Sequence, residues 1–182
     1  MVGTVEPRKG HAQVLAAFEL LWRDGADVNL IVVGKQGWLV DKLAARLHGH
    51  PKNGRRLFWL PGVSDEMLLA LYERCAALLA ASEAEGFGLP LIEAAQHKTA
   101  VIARDIPVFR EVAGVHAYYF SGLDAGALAG AVDAWLGMYR KGTAPASGAM
   151  PCLTWKQSAR QVIDAVEGRR WYREVAPNLL QR

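Results

Sequence analysis

Five short apolar runs, separated by stretches with helical spacing, constrain this chain more than any other feature. They are "VNLIVVG" (28–34), "RLFWLPG" (56–62), "AALLAAS" (76–82), "TAVIARD" (99–105) and "HAYYF" (116–120). Runs that stay apolar on consecutive positions suit strands buried on both faces, which is the condition of a parallel sheet. The opening "MVG" reads as the tail of a further strand.

The intervals read as helices. Val14, Leu15, Phe18, Leu21 and Trp22 recur at helical spacing within 12–22, and "WLVDKLAARL" (38–47) follows the first run. Ser64 is placed to cap "DEMLLALYERC", with Asp65 and Glu66 in the first turn. A stripe of Leu128, Ala131, Val132, Trp135 and Tyr139 marks a helix begun near Asp124. Thr154 and Gln157 have the spacing of a capping box, and "RKGTAPASGAMP" before them is a loop by composition. This alternation predicts an α/β domain, a parallel sheet with helices on both faces. Ligands of such sheets bind beyond the carboxyl ends of the strands. The loops after 28–34, 56–62 and 76–82, and the "GTVEPRKG" loop after the first segment, then share one edge.

With 182 residues, 52% of them hydrophobic, the chain has enough apolar surface for one well-formed core. The net charge of +3 is mild, and the cluster Arg169, Arg170, Arg173 and Arg182 reads as a solvated tail rather than a nucleic-acid surface. Cys75 reads as a small core residue, and Cys75 and Cys152 lack the spacing of a disulfide framework or zinc site. Neither a signal peptide nor a membrane span is visible, so the expected location is cytoplasmic.

The stretch "EAEGFGLPLIE" (83–93) carries the chemistry. The run 76–82 ends, a turn follows, and a helix starts at Leu89 and Pro90, where a proline lacks only an N–H that would be unpaired anyway. Gly86 and Gly88, flanking Phe87, let backbone approach a ligand closely. The free N–H groups of the first helical turn form an anion site, for which a phosphate is the obvious candidate. Glu93 lies early in that helix. An ionised carboxylate accepts both hydroxyls of a vicinal diol, though Glu93 has an equal claim to complementing the helix dipole, with Glu85 in solvent. Arg8 and Lys9 sit at the same predicted edge and supply the cationic counterpart.

Taken in order, "GTVEPRKGH", "VVGKQGW", "LPGVSDEMLLALYERCAALLAASEAEGFGLPLIEAAQHKTAVIARDIPVFREVAG" and "YYF" resemble the C-terminal domain of retaining GT-B glycosyltransferases of the bacterial group-1 family. The resemblance runs from about residue 2 to 167, leaving 168–182 as a basic crossover segment or tail. It implies a Rossmann-like domain, one half of a GT-B enzyme, that binds a nucleotide-sugar donor. It implies that Lys9 holds the donor diphosphate, Glu93 the ribose hydroxyls, and that Glu85 approaches the transferred sugar. Backbone around Gly86, Phe87, Gly88 and Leu89 would contact sugar and phosphates, and loops at Gly34, Lys35 and Val63 the nucleobase. Thr4 stands where many relatives carry an arginine as a second phosphate ligand, so a full positive clamp requires Arg8 or another group to substitute for it. His97 is expected to be a helix-end residue, and "HKTAV" a turn variation.

The wording is most similar to bacterial polysaccharide mannosyltransferases, which implies GDP-mannose as donor and a polysaccharide or lipid-linked glycan as acceptor. The resemblance places the acceptor on an N-terminal domain that these residues do not include, and the intact enzyme at the inner face of a membrane. On that basis the chain alone is expected to bind donor and to transfer little. No DxD motif occurs, so no essential metal and no cofactor are expected. A nicotinamide-binding fold is disfavoured, because "GFGLPL" lacks a third glycine and is not in the first strand–helix turn. The alternative from another class is a partner-binding domain with a degenerate nucleotide site, for which Thr4 is the best support.

Overall fold

A computed structural model describes residues 1–168. Five short strands alternate with helices throughout residues 1–150: α1 (His11–Arg23), β1 (Leu30–Val33), α2 (Asp41–Gly49), β2 (Leu57–Leu60), α3 (Asp65–Arg74) and β3 (Ala77–Ala80) come first. They are followed by α4 (Leu89–Gln96), β4 (Ala100–Arg104), α5 (Pro107–Ala113), β5 (Tyr118–Phe120) and α6 (Ala125–Arg140). Each of the five apolar runs contains one strand, the first four trimmed at both ends and β5 at its start only.

All named strand pairs are parallel. β1 pairs with β2 through Leu30–Leu57, and β4 pairs with β3 on one side and with β5 on the other. The first segment joins β1 through single bridges, Val2 to Val33 and Val5 to Gln36. Among the described residues the ladders therefore form a pair and a triplet rather than one continuous run.

Consecutive strand residues point to opposite faces, and both faces are covered. Leu79 and Ile102 pack with Val14, Leu15 and Phe18 of α1 and with Leu128, Val132 and Trp135 of α6. Leu78, Val101 and Ala103 face the other way, against Leu91 and Ala94 of α4 and Phe109 and Ala113 of α5. Burying a side chain such as Leu15 or Phe18 contributes about 1.5–3 kcal/mol.

The expected caps are present. Ser64 Oγ accepts from Met67 N–H at 3.3 Å, and Asp124 Oδ1 from Ala127 N–H at 2.8 Å. Three readings need correction. The helix expected over 38–47 begins only at Asp41, because Leu39 has φ 51° and cannot belong to a right-handed helix. Trp38 is held in the preceding loop instead, its indole N–H donating to Glu6 Oε2 at 3.1 Å. α5 and a 3-10 turn at Pro7–Lys9 are additional elements, each with proline in its first turn. Cys75 is half-buried rather than in the core. His97 does end α4, and Lys98 after it has φ 59°, the left-handed conformation that favours glycine.

Among the described residues, 151–168 belong to a separate unit. Its helix α7 (Trp155–Glu167) opens with the predicted capping box, Thr154 and Gln157 exchanging hydrogen bonds. Trp155, Val162, Ile163 and Val166 are exposed on it. The arginine cluster beginning at Arg169 lies outside the described residues, as does all but the first residue of the 168–182 segment.

Candidate donor-binding site

The edge beyond β3 gathers residues from opposite ends of the sequence. Lys9, at the end of the Pro7–Lys9 turn, forms an ion pair with Glu85 Oε1. Arg8 Nη1 lies 3.3 Å from Glu85 Oε2 and donates to the Ala84 carbonyl at 3.0 Å. Arg8 Nη2 pairs with Glu6 at 2.7 Å. Ser82, buried at the strand's exit, donates its hydroxyl to Glu85 Oε1 at 2.8 Å. Burial pushes the Glu85 carboxyl upward, but Lys9, Ser82 and Arg8 outweigh it and hold it below the usual carboxylate range. Glu85 is therefore ionised at neutral pH.

Gly10 explains how Lys9 is held there. It has φ 72°, and a Cβ at this position would come within 2.3 Å of the Ala81 carbonyl oxygen. Only a residue with no side chain can turn this tightly against the end of β3. Ala81 is fixed from its other side by Arg104, whose Nε and Nη2 donate to the same carbonyl at 3.1 and 3.0 Å. The buried guanidinium also reaches the Gly122 carbonyl and Gln13 Oε1, and stacks over Phe120.

The start of α4 leaves its first N–H groups without a side-chain cap. Its cap, Gly88, has φ 90° and no side-chain cap, and a Cβ there would meet the Phe109 ring at 2.9 Å. Phe87 and Leu89 are exposed beside it, while Gly86 has open space around it. One turn further along, Glu93 accepts a hydrogen bond from the Tyr72 hydroxyl at 2.8 Å. Burial and this carboxylate together push the Tyr72 phenol well above its ordinary range, so it stays a donor at any neutral pH. One oxygen of Glu93 is thereby oriented.

The loop after β1 comes to the same edge. Gly34 packs so tightly on the first segment that a Cβ would lie 2.0 Å from the Gly3 carbonyl oxygen, and Val5 N–H donates to Lys35 carbonyl at 2.9 Å. Lys35 and Thr4 are exposed. Val63, after β2, is half-buried, and no hydrogen bond ties it to the other candidates among the described residues. The structure thus brings Arg8, Lys9 and Glu85 into direct contact and sets Gly34, Lys35 and Thr4 beside them. Glu93 stands apart, braced by α3.

Ser82, Tyr72, Glu6 and Arg104 were not singled out by sequence reasoning. Ser82 was findable, as a polar residue ending an apolar run just before "EAEG"; Arg104 ends a run in the same way. Nothing local marks the partners of Tyr72 and Glu6. His11 was hidden too, although it falls on the stripe of Val14, Leu15 and Phe18. It is 3% exposed and lines the cavity shared with Lys9, Ser82 and Glu85, with no hydrogen bond to either ring nitrogen. Burial, together with the nearby positive charges of the N-terminal amine and Lys9, pushes its pKa down to about 4.

A depressed histidine pKa stabilises the fold above the unfolded value of 6.5, and that stability is lost as pH falls towards 4. The loss attributable to His11 is about 3 kcal/mol at most. Urea denaturation at pH 7 and pH 4.5 should show a smaller pH penalty for His11→Leu than for the unmodified chain; an equal penalty would remove His11 from the account.

Three comparisons bear on this arrangement. The chain belongs to the glycosyl transferases group 1 family, whose model matches residues 1–144. Among curated relatives, the serotype-specific mannosyltransferase WbdA of Escherichia coli is 60% identical over 163 residues, covering 90% of this chain and 20% of the relative. The O-antigen chain mannosyltransferase B of E. coli is 33% identical over 114 residues, 62% of this chain and 30% of that protein. The chain thus spans about a fifth of the length of WbdA. Among solved structures, the C-terminal domain of the group 1 glycosyl transferase LpcC from Francisella tularensis superposes with a TM-score of 0.68 at 20% identity, over 81% of this chain and 80% of that one. Anabaena HepE in complex with UDP and glucose gives 0.67 at 18% identity, over 91% and 47%. These likenesses give the fold as that of GT-B glycosyltransferase domains, in agreement with the expected α/β class. No helix among the described residues is long and apolar enough to cross a membrane.

Proposed function

We propose that this chain is the donor-binding domain of a retaining hexosyltransferase, and that the donor is GDP-mannose. The observation that carries it is the meeting of Lys9, Arg8 and Glu85 beside the uncapped start of α4, with Glu93 oriented by Tyr72. The mannosyltransferase relatives support the choice of sugar, and the guanine base rests on the same likeness. In this reading the diphosphate lies against Lys9 and the first-turn N–H groups of α4. Glu93 accepts the ribose hydroxyls, and the Gly34–Lys35 and Val63 loops line the base.

The chemistry follows from where charge develops. As the sugar–phosphate bond lengthens, negative charge grows on the departing diphosphate. Once the bound diphosphate has engaged Lys9 and the α4 N-terminus, both stabilise that charge with no further reorganisation as the bond breaks. Glu85 orients the sugar, and an acceptor hydroxyl attacks from the face the diphosphate leaves and gives its proton to a departing phosphate oxygen, so the configuration is retained. The acceptor, a hydroxyl of a polysaccharide or lipid-linked glycan, is bound by an N-terminal domain in the whole protein. That protein works in the cytoplasm at the inner face of the membrane, and this chain by itself transfers little.

Calorimetric titration with GDP, UDP and ADP tests the reading. GDP is expected to bind in preference to the others, and Glu93→Ala to weaken it by about ten- to a hundredfold, the worth of hydrogen bonds to a charged group. A domain with a degenerate nucleotide site predicts that none of the three binds to folded protein.

A further inference from the structure

We propose that Glu85 makes this site select a sugar-bearing nucleotide over the bare nucleoside diphosphate. The inference rests on the donor-binding reading above. It starts from a peculiarity of the geometry, namely that the cations offered to a diphosphate are already taken. Lys9 is paired with Glu85, and Arg8 is shared between Glu6 and Glu85. Two positive and two negative side chains therefore meet in this cluster and offset one another's charge. Lys9 and Glu85 are mostly buried, with side chains 15% and 11% exposed, so solvent screens them little.

A diphosphate can reach Lys9 only by displacing the carboxylate or by sharing the cation with it. Displacement removes Glu85 from a strong charge-assisted partner and leaves it beside a like charge, with Ser82 and Arg8 as its remaining donors. A bare diphosphate offers nothing in return, because its oxygens are acceptors. A hexose on the diphosphate offers hydroxyl donors, which can replace Lys9 on Glu85. The sugar thus compensates the carboxylate for the cation that its own phosphate takes. After the sugar is transferred, that compensation is gone, and Glu85 competes for Lys9 against the departing nucleotide. One carboxylate then favours donor entry and product release together.

The test is calorimetry of GDP and GDP-mannose with the unmodified chain, Glu85→Gln, Glu85→Ala and Lys9→Met. Glutamine keeps the shape but carries no charge to hold Lys9, and alanine serves if glutamine perturbs folding. GDP is expected to bind either Glu85 variant about tenfold more tightly, the lower end for a hydrogen bond to a charged group. GDP-mannose is expected to gain nothing or to lose affinity, so the preference for the sugar-bearing form falls at least tenfold. GDP binding that is unchanged or weakened in both variants would overturn the proposal and make Glu85 part of a fixed cradle. If Lys9→Met binds GDP as well as the unmodified chain, the exchange is refuted while the donor-binding reading stands. If no form binds either nucleotide, the reading itself fails and takes the exchange with it. Binding of GDP by a Glu85 variant but not by the unmodified chain would be the exchange in its strongest form.

Discussion

Arg104→Met is expected to destabilise the fold by about 1.5–3 kcal/mol, the scale of hydrogen bonds from a charged group whose buried partner is left without a donor. Arg104 is 5% exposed and its guanidinium serves three backbone or side-chain acceptors, Ala81, Gly122 and Gln13, drawn from three different parts of the chain. Methionine fills much of the same space but donates nothing, so the buried Ala81 carbonyl loses both guanidinium bonds, while the exposed Gly122 carbonyl keeps Gln13 as a donor. Lysine can satisfy one acceptor at a time and should recover less than half of the loss, because it lacks the planar fork. Urea denaturation of the three proteins checks this. A loss below 1 kcal/mol for methionine would mean that water replaces the guanidinium.

Gly10→Ala is the second large effect, and it separates conformational strain from collision. Gly25 also has a left-handed φ, 86°, but nothing lies within 4 Å of where its Cβ would be. Gly25→Ala should therefore cost about 1–2 kcal/mol, the strain of an L-residue in that region. Gly10→Ala carries the same strain and adds a contact of 2.3 Å with the Ala81 carbonyl, which must move aside. Overpacking of this kind costs about 1–3 kcal/mol more. Since Ala81 precedes Ser82 and Gly10 follows Lys9, the displacement should also part Lys9 from Glu85 and weaken GDP binding. Equal stability losses at the two glycines would show that the β3 edge yields freely.

How much of this was legible in the sequence depended on range. The five runs located the strands because burial on both faces leaves an uninterrupted apolar signature. Ser64, Asp124 and Thr154 located helix starts because capping is local chemistry. The helix over 38–47 was misjudged at its beginning, where a loop conformation at Leu39 and a bond from Trp38 to distant Glu6 override local spacing. α5 carried a readable signal, Pro107 in its first turn, but its seven residues are too few for a periodic stripe. The site residues were named from three loops and one motif. That Lys9 is held by Glu85, 76 positions away, has no local trace, and neither has the bracing of Glu93 by Tyr72.

The division of the strands into two ladders has a mechanical consequence. At the ligand edge the segment from Gly3 to Gly10 is bonded to both: Val5 and Glu6 hold the loop after β1, while Arg8 and Lys9 hold the loop after β3. These few residues tie together two ladders that also share one core, where Leu30, Val32 and Leu57 pack with Leu79 and Ile102. In the donor-binding reading proposed above, a nucleotide-sugar with its base at one ladder and its sugar at the other would lie along this tie, so a change between Gly3 and Gly10 would be felt at both ends of the ligand.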